Sequence, residues 1–471
     1  SLIIPANTLA SGGFAVDNSC RFDDGSSTQM NKTISSTSTT WTFSCWIKLN
    51  PTGTNQYLAS WDMGSGEALG IGIEASTNQL FIYTTSTGQS PKLYDGKLRD
   101  PSAWMNIVIK NSSGTITSYI NGTQAKTSIT GTALASGTLR IGCYTGSNYF
   151  YDGYMSEVVL IDGTAYSADS FGEFDSDSNI WKPIDVSGLT FGSDGFYLET
   201  KQSGTSQNSS GLGADTSGND NHFAVNNLTA IDQTTDTCTN NFMTLNPLIT
   251  LTSVTDNQVY SEGNTIVIPN STDNYGTAFG TFGATKGKWY WEAQIIWNGT
   301  SNNANFPKQI GFMREDYAFN KSYLGQNDDQ TWGVGFADLS TDGWGLDHNG
   351  SFSAISGATT LADDKMVMFA LDLDNGKFYM GYDGTFFTSG DPTSGATGTG
   401  AIATLDATDL SFTIIPALTN ATNTTHYKMN FGNPAYAIAS SNADGNGYGN
   451  FEFAVPSGYF SWCSKNLAEY G

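Results

Sequence analysis

One short stretch of the chain, residues 366–387, restricts the possible folds more than any other. Within it, two apolar runs flank Asn375 and Gly376. Both residues tolerate the positive φ of tight turns, so the stretch predicts two antiparallel strands. Asp383 and Gly384 predict a second turn, after which the extended pattern resumes. The sequence therefore predicts a three-stranded meander, and with it a fold built from antiparallel sheets.

The meander belongs to a longer series of aromatic strand segments in the second half of the chain. In order, they are residues 286–292, 333–336, 372–379 and 427–432. In type and in order these segments resemble a SPRY domain, and the resemblance covers roughly residues 251–463. The resemblance implies a bent β-sandwich whose variable loops bind a partner, usually without catalysis.

The first third of the chain carries a different strand pattern. Strict alternation in residues 41–49 places five apolar side chains on one face: Trp41, Phe43, Cys45, Ile47 and Leu49. This alternation predicts a half-buried strand, with Trp46 as an exception on the polar face. Residues 104–120 predict another hairpin, which turns at Ser113-Gly114 and ends at Asn121-Gly122. Together with residues 153–161, these segments resemble a laminin-G-like domain of the concanavalin-A-type jelly roll, over about residues 14–183.

Length and composition agree with two β domains. A chain of 471 residues exceeds the size at which single cores stop growing. Only 14% of its residues are charged, which disfavours helices rich in Glu and Lys. We therefore predict an all-β chain with two β-sandwich or jelly-roll domains in tandem. The predicted boundaries are an N-terminal segment (1–13), a laminin-G-like jelly roll (14–199), a Ser/Asn/Gly-rich connection (200–250) and a SPRY-like β-sandwich (251–471).

The connection between the predicted domains allows two interpretations. Its polar, turn-forming composition is typical of a flexible linker. Alternatively, Phe223, Val225, Phe242 and Leu245 pin it as an ordered connection, which we prefer because these apolar side chains would otherwise stay in water.

The net charge of the chain disfavours two classes of binding partner. The net charge of -24 argues against a nucleic-acid partner and against an anionic membrane surface. The first seven residues lack a basic segment, and their apolar run is too short for a secretory signal. No apolar span in the chain predicts a membrane helix.

The five cysteines lie far apart in the sequence, and we interpret them as buried, reduced side chains. A disulfide between two of them is the alternative. They are Cys20, Cys45, Cys143, Cys238 and Cys463.

Catalysis is disfavoured by the pattern of acidic residues. Concanavalin-A-type scaffolds include glycoside hydrolases, which need two carboxylates facing one another. No strand carries such a pair, and Glu74 and Glu157 each stand alone. The three histidines are too scattered to suggest a triad or a zinc site. We therefore expect that the chain is not an enzyme. The alternative is that carboxylates from separate strands converge on one site.

Two oxygen-rich segments, residues 372–376 and 444–450, invite comparison with calcium loops. The EF-hand spacing fails in the first, and both are interpreted as tight turns. The laminin-G resemblance implies calcium held by loop Asp residues in many members, but no position in this chain could be matched to them. We therefore expect neither a metal nor a cofactor.

Two groups of aromatic and acidic residues are candidate binding sites. Trp332, Asp342 and Trp344 lie among glycines that would leave an indole face open to a sugar ring or a partner side chain. Trp61 and Asp62 form a similar candidate in the first domain. The competing interpretation is ordinary core packing, which is frequent for large aromatic rings in β-sandwiches.

The combination of segments narrows the context. With residues 218–223 and 460–467, the two domains resemble structural proteins of marine tailed bacteriophages. This resemblance implies a fibre, appendage or capsid decoration on the virion surface, assembled in the host cytoplasm, which binds host-surface glycan or neighbouring virion proteins. We expect a symmetric homo-oligomer. The alternatives are a polysaccharide-degrading glycoside hydrolase and a purely architectural virion protein.

Overall fold

The chain forms two compact units. The computed structural model describes residues 13–35, 37–64, 67–85, 88, 90–146, 148–249, 258–269, 276–297, 308–336, 344–356, 365–420 and 425–471. The first unit extends to Asn241 and also includes Ser261–Gly263. The second unit contains Phe242–Tyr260 and Asn264–Gly471.

The first unit is built from β-strands, with short 3-10 turns at Ala168–Ser170 and Ala230–Asp232. Its strands are β1 (Ser19–Phe22), β2 (Gln29–Ile34), β3 (Trp41–Leu49), β4 (Gln56–Gly64), β5 (Glu67–Ile73), β6 (Leu80–Thr84), β7 (Met105–Ser112), β8 (Thr115–Ile120), β9 (Thr123–Thr130), β10 (Gly137–Ile141), β11 (Gly153–Asp162), β12 (Gly172–Phe174), β13 (Trp181–Pro183), β14 (Phe196–Leu198), β15 (Ala224–Asn226) and β16 (Gln233–Thr234).

Two antiparallel sheets enclose the core of the first unit. Among the described residues, one sheet has the order β16-β1-β11-β3-β7-β8-β9, with β14 paired to β11, and is called the large sheet. The other, called the small sheet, has the order β15-β2-β10-β4-β5-β6. Side chains from both sheets share one hydrophobic core, in which Trp41 of β3 and Trp61 of β4 lie 6.1 Å apart.

The outer face of the large sheet is covered by a second apolar layer. Every residue of β3 is buried, so the strand predicted to be half-buried is enclosed on both faces. Trp46, the exception in the sequence pattern, packs into this layer with Trp104 and Trp181. The polar residues of β3 therefore need internal partners, and Lys48 pairs with buried Asp236 at 2.8 Å.

Residues 261–263 complete the first unit, although they follow its main segment in sequence. The Arg21 guanidinium is fully buried, and its Nε donates to Glu262 at 3.0 Å. Asp232 lies 3.7 Å from the same guanidinium. The Tyr154 hydroxyl donates to the carbonyl of Gly263 at 3.2 Å. These buried polar contacts tie the short segment to β1 and β11.

The second unit is also built from β-strands, with short 3-10 turns at Phe387–Ser389, Pro392–Thr397 and Asp409–Ser411 and a C-terminal helix α1 (Ser464–Tyr470). Its strands are β17 (Gln258–Ser261), β18 (Ile266–Pro269), β19 (Gly276–Phe279), β20 (Lys288–Trp297), β21 (Lys308–Arg314), β22 (Thr331–Phe336), β23 (Gly345–His348), β24 (Ser351–Ala354), β25 (Met366–Asp372), β26 (Lys377–Tyr382), β27 (Thr385–Phe386), β28 (Ala403–Thr404), β29 (Ile414–Asn420), β30 (Thr425–Asn430) and β31 (Phe460–Ser461).

Two sheets again enclose one core. In the described part of the chain, their orders are β17-β18-β30-β20-β25-β26-β27 and β19-β29-β21-β22-β23-β24, with β28 and β31 attached to β26 and β20. The ring of Phe312 on β21 packs edge-on against the ring of Phe378 on β26, with ring centroids 4.9 Å apart. This contact joins the two sheets. The predicted all-β class with multiple β-sandwich sheets is thus confirmed. No helix among the described residues has the length and apolar character to cross a membrane.

The turn chemistry explains the hairpins. Ser113-Gly114, Asn121-Gly122 and Asp383-Gly384 all have positive φ and join directly paired strands. The meander of β25, β26 and β27 forms as predicted. Its first turn differs in detail, because Asp372 pairs with Lys377 and leaves a four-residue loop.

The predicted connection at residues 200–250 is divided between the two units. Its portion up to Asn241 belongs to the first unit, and Phe223 is buried in that core. From Phe242 onward it belongs to the second unit, where Leu245 is buried. Two of its apolar side chains, Phe223 and Leu245, are thus buried, one in the core of each unit.

Candidate functional site

The tryptophans proposed from the sequence lie inside the cores. Trp61, Trp332 and Trp344 are only 1 to 2% exposed. Trp332 stacks on Phe312 at 4.9 Å and on His348 at 4.5 Å, which occupies both of its faces. These three residues therefore follow the competing interpretation of core packing, and no indole face is open to a ligand.

The acidic residues of the two candidate groups, Asp342 and Asp62, differ in what the structure describes. Asp342 lies outside the described residues. The Asp62 side chain is 44% exposed, because it alternates with Trp61 and points to the outer face of the small sheet. Of the five candidate residues, Asp62 is the one that the described structure places at a surface.

The outer face of the small sheet carries a cluster of aromatic rings, called the aromatic patch. It consists of Tyr57, Phe81, Tyr83, Tyr144 and Tyr149. Tyr57 is central: its ring centroid lies 4.7 Å from Tyr144, 5.4 Å from Phe81 and 6.0 Å from Tyr149. Tyr83 extends the cluster, 5.8 Å from Tyr144. Aromatic side chains from β4, β6 and the loop before β11 thus meet on one sheet face.

Two glycines of β5 make the patch possible. Gly72 pairs with Tyr57 and Phe81, and Gly70 pairs with Tyr83. A Cβ atom at Gly70 would lie 2.7 Å from Cδ1 of Tyr57, and one at Gly72 would lie 2.9 Å from Cζ of Phe81. The rings therefore lie across bare backbone, which is a frequent role of glycine inside a strand.

A bulge in β4 sets which residues face the patch. The pairing of β4 with β5 shifts between Tyr57 and Ala59, which inserts Leu58 as an extra residue. Leu58 and Ala59 both enter the core, whereas Tyr57 lies on the outer face. Bulges re-aim side chains in this way, and here the bulge directs Tyr57 outward and Trp61 inward.

Exposure increases from the base of the patch to its top. Phe81 and Tyr57 are 3% and 5% exposed, Tyr83 and Tyr144 are half-buried, and Tyr149 is 48% exposed. Burial, reinforced by Tyr83 and Asp62, raises the pKa of Tyr144. The Tyr144 phenol is therefore neutral at ordinary pH and can both donate and accept hydrogen bonds.

Polar groups border the rings on the same face. Arg140 of β10 lies beside β4, and its Nη1 is 3.8 Å from Oδ2 of Asp62. Within the described residues, this Nη1 is buried and has no hydrogen-bond partner. The border thus combines a guanidinium and a carboxylate that can serve hydroxyl groups of a ligand.

The patch combines flat aromatic rings with charged groups at its border. Tyrosine rings present flat apolar faces together with a polar hydroxyl, which suits ligands that are apolar on one side and wet on the other. A few charged groups at the border of an apolar surface fix ligand orientation. Its chemistry is therefore that of a binding surface.

Three further buried carboxylates, on Glu292, Asp372 and Asp444, have structural partners. Glu292 accepts hydrogen bonds from the Tyr290 hydroxyl and from the backbone NH groups of Glu452 and Phe453. Asp444 accepts from Asn446, Tyr448, Ser461 and Asn466, so the loop at 444–450 closes around its own carboxylate. The Asp372 carboxylate is likewise engaged, by Asn375 and Lys288. Both oxygen-rich segments are turns, as predicted.

Glu157 occupies an unusual position within the first unit. It lies at the bulge of β11 with φ of 51°, and it is hydrogen-bonded to the Tyr197 hydroxyl. Burial raises the pKa of Glu157 to about 8, which the bond from Tyr197 partly opposes. Trp46, Phe171 and Val186 line the small pocket around it. Glu157 is only 7% exposed, and the described residues that line the pocket include no second carboxylate.

Comparison with known proteins supports the fold of the first unit. Residues 22–169, about a third of the chain, match the family model described as the concanavalin A-like lectin/glucanases superfamily, laminin G type. Comparison with curated protein sequences returns no similar protein.

Three solved structures that are similar to this chain are each 14 or 15% identical to it. The SPRY domain of human HERC1 is 14% identical, with a TM-score of 0.24, and the match covers 35% of this chain and 86% of that domain. Domain 4 of the arabinanase AbnA from Geobacillus stearothermophilus, solved with arabinotriose, is 14% identical, with a TM-score of 0.25 and coverages of 28% and 64%. A pentraxin from Limulus polyphemus is 15% identical, with a TM-score of 0.27 and coverages of 32% and 78%.

Proposed function

We propose that this chain is a structural protein of a bacteriophage virion surface that binds host-surface glycan through the aromatic patch of its first unit. The observation that carries the glycan part is the patch itself. Soluble proteins rarely expose contiguous apolar surface unless that surface binds something, and Tyr83, Tyr144 and Tyr149 are the rings of the patch that are at least partly exposed. The lectin-type family match to residues 22–169 supports the same ligand class.

Binding without turnover is the favoured activity. Glycoside hydrolysis needs two carboxyl groups about 5 to 10 Å apart around the bond that is cleaved. At the border of the aromatic patch, the Asp62 carboxylate lies beside Arg140, and Glu74 is ion-paired with Lys92, which lies over the Phe81 ring. Both carboxylates are engaged by cations, so on this proposal the site holds a sugar and does not cleave it.

The virion part of the proposal depends on the resemblance of residues 218–223 and 460–467 to structural proteins of tailed bacteriophages. On this proposal the protein is a fibre, appendage or capsid decoration, with other virion proteins and further copies of itself as partners. It is assembled in the host cytoplasm and exposed on the particle. A purely architectural role would place it on the same particle but give it no glycan affinity.

A glycan array with variants of the aromatic patch tests the binding part. Tyr83→Ala and Tyr149→Ala should each weaken the strongest array signal about tenfold, because each removes one ring from the ligand face. Phe174→Ala is the matched control, since Phe174 is 47% exposed against 48% for Tyr149 and lies outside the patch. Equal binding by all four proteins, or none by the wild type, would exclude the patch as a glycan site.

Two further measurements separate the alternatives. Release of reducing ends from the bound glycan would favour the glycoside hydrolase. Immunogold labelling of purified phage particles should decorate their surface, and unlabelled particles would contradict the virion assignment. Labelled particles without any glycan binding would favour the purely architectural protein.

A further inference from the structure

A buried lysine, aspartate and asparagine are in contact within the first unit. Lys48 lies on β3, whereas Asp236 and Asn241 follow β16 at the end of the main segment of the unit. The Nζ of Lys48 donates to Oδ2 of Asp236 and to Oδ1 of Asn241, each at 2.8 Å. Lys48 is 2% exposed, and the other two residues are 0% exposed. An amine, a carboxylate and an amide thus share one enclosed position, although Lys48 and Asn241 are 193 positions apart.

The Asn241 amide is held with its oxygen toward the lysine. Its Nδ2 donates to the backbone carbonyl of Ser102 at 2.6 Å, and a carbonyl can only accept. The ammonium of Lys48 can only donate, so both neighbours require the same orientation of the amide. Because a C=O bond is about 1.2 Å long, Cγ of Asn241 lies no more than about 4 Å from Nζ of Lys48. The amine is therefore close to an electrophilic carbon.

Burial and Asp236 prepare this amine for nucleophilic attack. Lysine becomes a nucleophile when its ammonium loses a proton, and desolvation favours the neutral amine. Burial lowers the pKa of Lys48, which the attraction of Asp236 partly opposes. One oxygen of Asp236 is placed to accept the proton from Nζ, and its other oxygen accepts from the indole NH of Trp104 at 2.9 Å. The Tyr154 ring, with its centroid 5.5 Å from Nζ, borders the same position.

We propose that Lys48 and Asn241 form an intramolecular isopeptide bond, with Asp236 as the group that transfers the protons. Nζ of Lys48 attacks Cγ of Asn241, a new C–N bond forms, the bond from Cγ to Nδ2 breaks, and ammonia leaves. Nζ loses two protons in all, of which one goes to the departing nitrogen and one stays on Asp236. The reaction consumes no oxidant, reductant or further reactant.

The loss of buried charge favours the product. Before the reaction, the site holds the ion pair of Lys48 and Asp236, and the desolvation of two buried charges is costly. After the reaction, Lys48 is part of a neutral amide and Asp236 is a neutral acid. The bond would join β3 covalently to the segment after β16, and it would restrict the unfolded chain as a disulfide does. Unlike a disulfide, it would resist reducing agents.

Mass spectrometry of the purified full-length protein tests the bond. The wild type should weigh about 17 Da less than the mass calculated from its sequence, which corresponds to the loss of one ammonia. After reduction, alkylation and digestion with trypsin, residues 33–92 should stay in one peptide, because the bond blocks cleavage after Lys48. This peptide should be joined to residues 202–286, which contain Asn241.

Tandem mass spectrometry of the branched peptide locates the link. It also separates the proposed bond from ammonia loss at an Asn-Gly pair such as Asn121-Gly122. A wild-type protein of full calculated mass that releases residues 33–48 as a free peptide would overturn the proposal. A mass loss located away from Lys48 and Asn241 would overturn it as well.

Two variants and a control assign the roles. Lys48→Arg keeps a cation beside Asp236 but should have its full calculated mass, because a guanidinium does not deprotonate in proteins. Asp236→Asn removes the proton acceptor and should also have its full mass. Lys32→Arg is the matched control, since Lys32 is another buried lysine of the first unit, at 7% exposure, and it should keep the loss of about 17 Da.

Circular dichroism shows whether each variant is folded, so that a missing bond is not caused by unfolding. If Asp236→Asn does not fold, Lys48→Arg still tests the bond, and the wild-type mass tests it without any variant. The same loss of ammonia in Lys48→Arg as in Lys32→Arg would overturn the assignment to Lys48. A cross-link of full yield in folded Asp236→Asn would overturn the role of Asp236.

Discussion

Replacing Gly70 by alanine tests the construction of the aromatic patch without removing any ring. The new Cβ would lie 2.7 Å from Cδ1 of Tyr57, closer still to Cε1, and 3.3 Å from Cδ2 of Tyr144. Carbon atoms prefer a separation of about 3.5 to 4.0 Å, so the Tyr57 ring has to move by about 1 Å. Phe81 and Tyr144 pack against that ring and oppose the movement.

Overpacking of this kind costs about 1 to 3 kcal/mol of unfolding free energy. Displacement of Tyr57 and Tyr144 also distorts the ligand face, and we expect about a tenfold weaker glycan Kd, which corresponds to about 1.4 kcal/mol. Urea unfolding followed by tryptophan fluorescence measures the first quantity. Calorimetric titration with the best glycan from the array measures the second.

Gly188→Ala is the matched control. Gly188 belongs to the same unit, and its Cβ would meet nothing within 4 Å. This substitution should change stability by no more than about 0.5 kcal/mol, or stabilise slightly by restricting the unfolded chain. If Gly70→Ala unfolds at the same urea concentration as Gly188→Ala, β5 has room for a side chain and the argument for the patch geometry fails.

Two further predictions concern buried charges. Because burial raises the pKa of Glu157 to about 8 from 4.5, the stability it contributes is full below about pH 4.5 and is lost as pH rises through about 8. The unfolding free energy should therefore fall less steeply between pH 5 and 8 in Glu157→Gln than in the wild type, by up to about 1.4 kcal/mol per pH unit. Urea denaturation at several pH values measures this slope, and the same pH profile in both proteins would contradict the prediction. Lys48→Met should cost about 3 to 5 kcal/mol, because it leaves the Asp236 carboxylate buried without that cation. Lys365→Met, which breaks an ion pair of similar length (2.7 Å) at an exposed site, should cost less than about 1 kcal/mol, and similar losses in the two variants would refute the role of burial.

The fold could be predicted from local signals. Gly-containing turn pairs set the hairpins at residues 113–114, 121–122 and 383–384, because positive φ is decided by the turn residues themselves. The four-residue loop before Lys377 was not predicted, since Asp372 binds the backbone NH of Asn375 and extends the turn. Such side-chain capping depends on atomic geometry that a dipeptide pattern does not carry.

The candidate site was harder to predict because sidedness depends on tertiary structure. Alternation shows that Trp61 and Asp62 lie on opposite faces, but only the packed sheets show which face is the core. The bulge at Leu58 shifts the alternation, and with it the direction of Tyr57. One signal was present: Gly70 and Gly72 alternate in a strand beside aromatic neighbours, which indicates rings lying across backbone.

The short segment Ser261–Gly263 has a practical consequence for separating the two halves genetically. A polypeptide that ends at Asn241 would contain the main segment of the first unit. It would lack Glu262, which binds the buried Arg21 guanidinium. Removing one partner of a buried ion pair is among the more damaging changes a protein can suffer. Expression of the first half alone should therefore extend past Gly263 or replace Arg21 with an apolar residue.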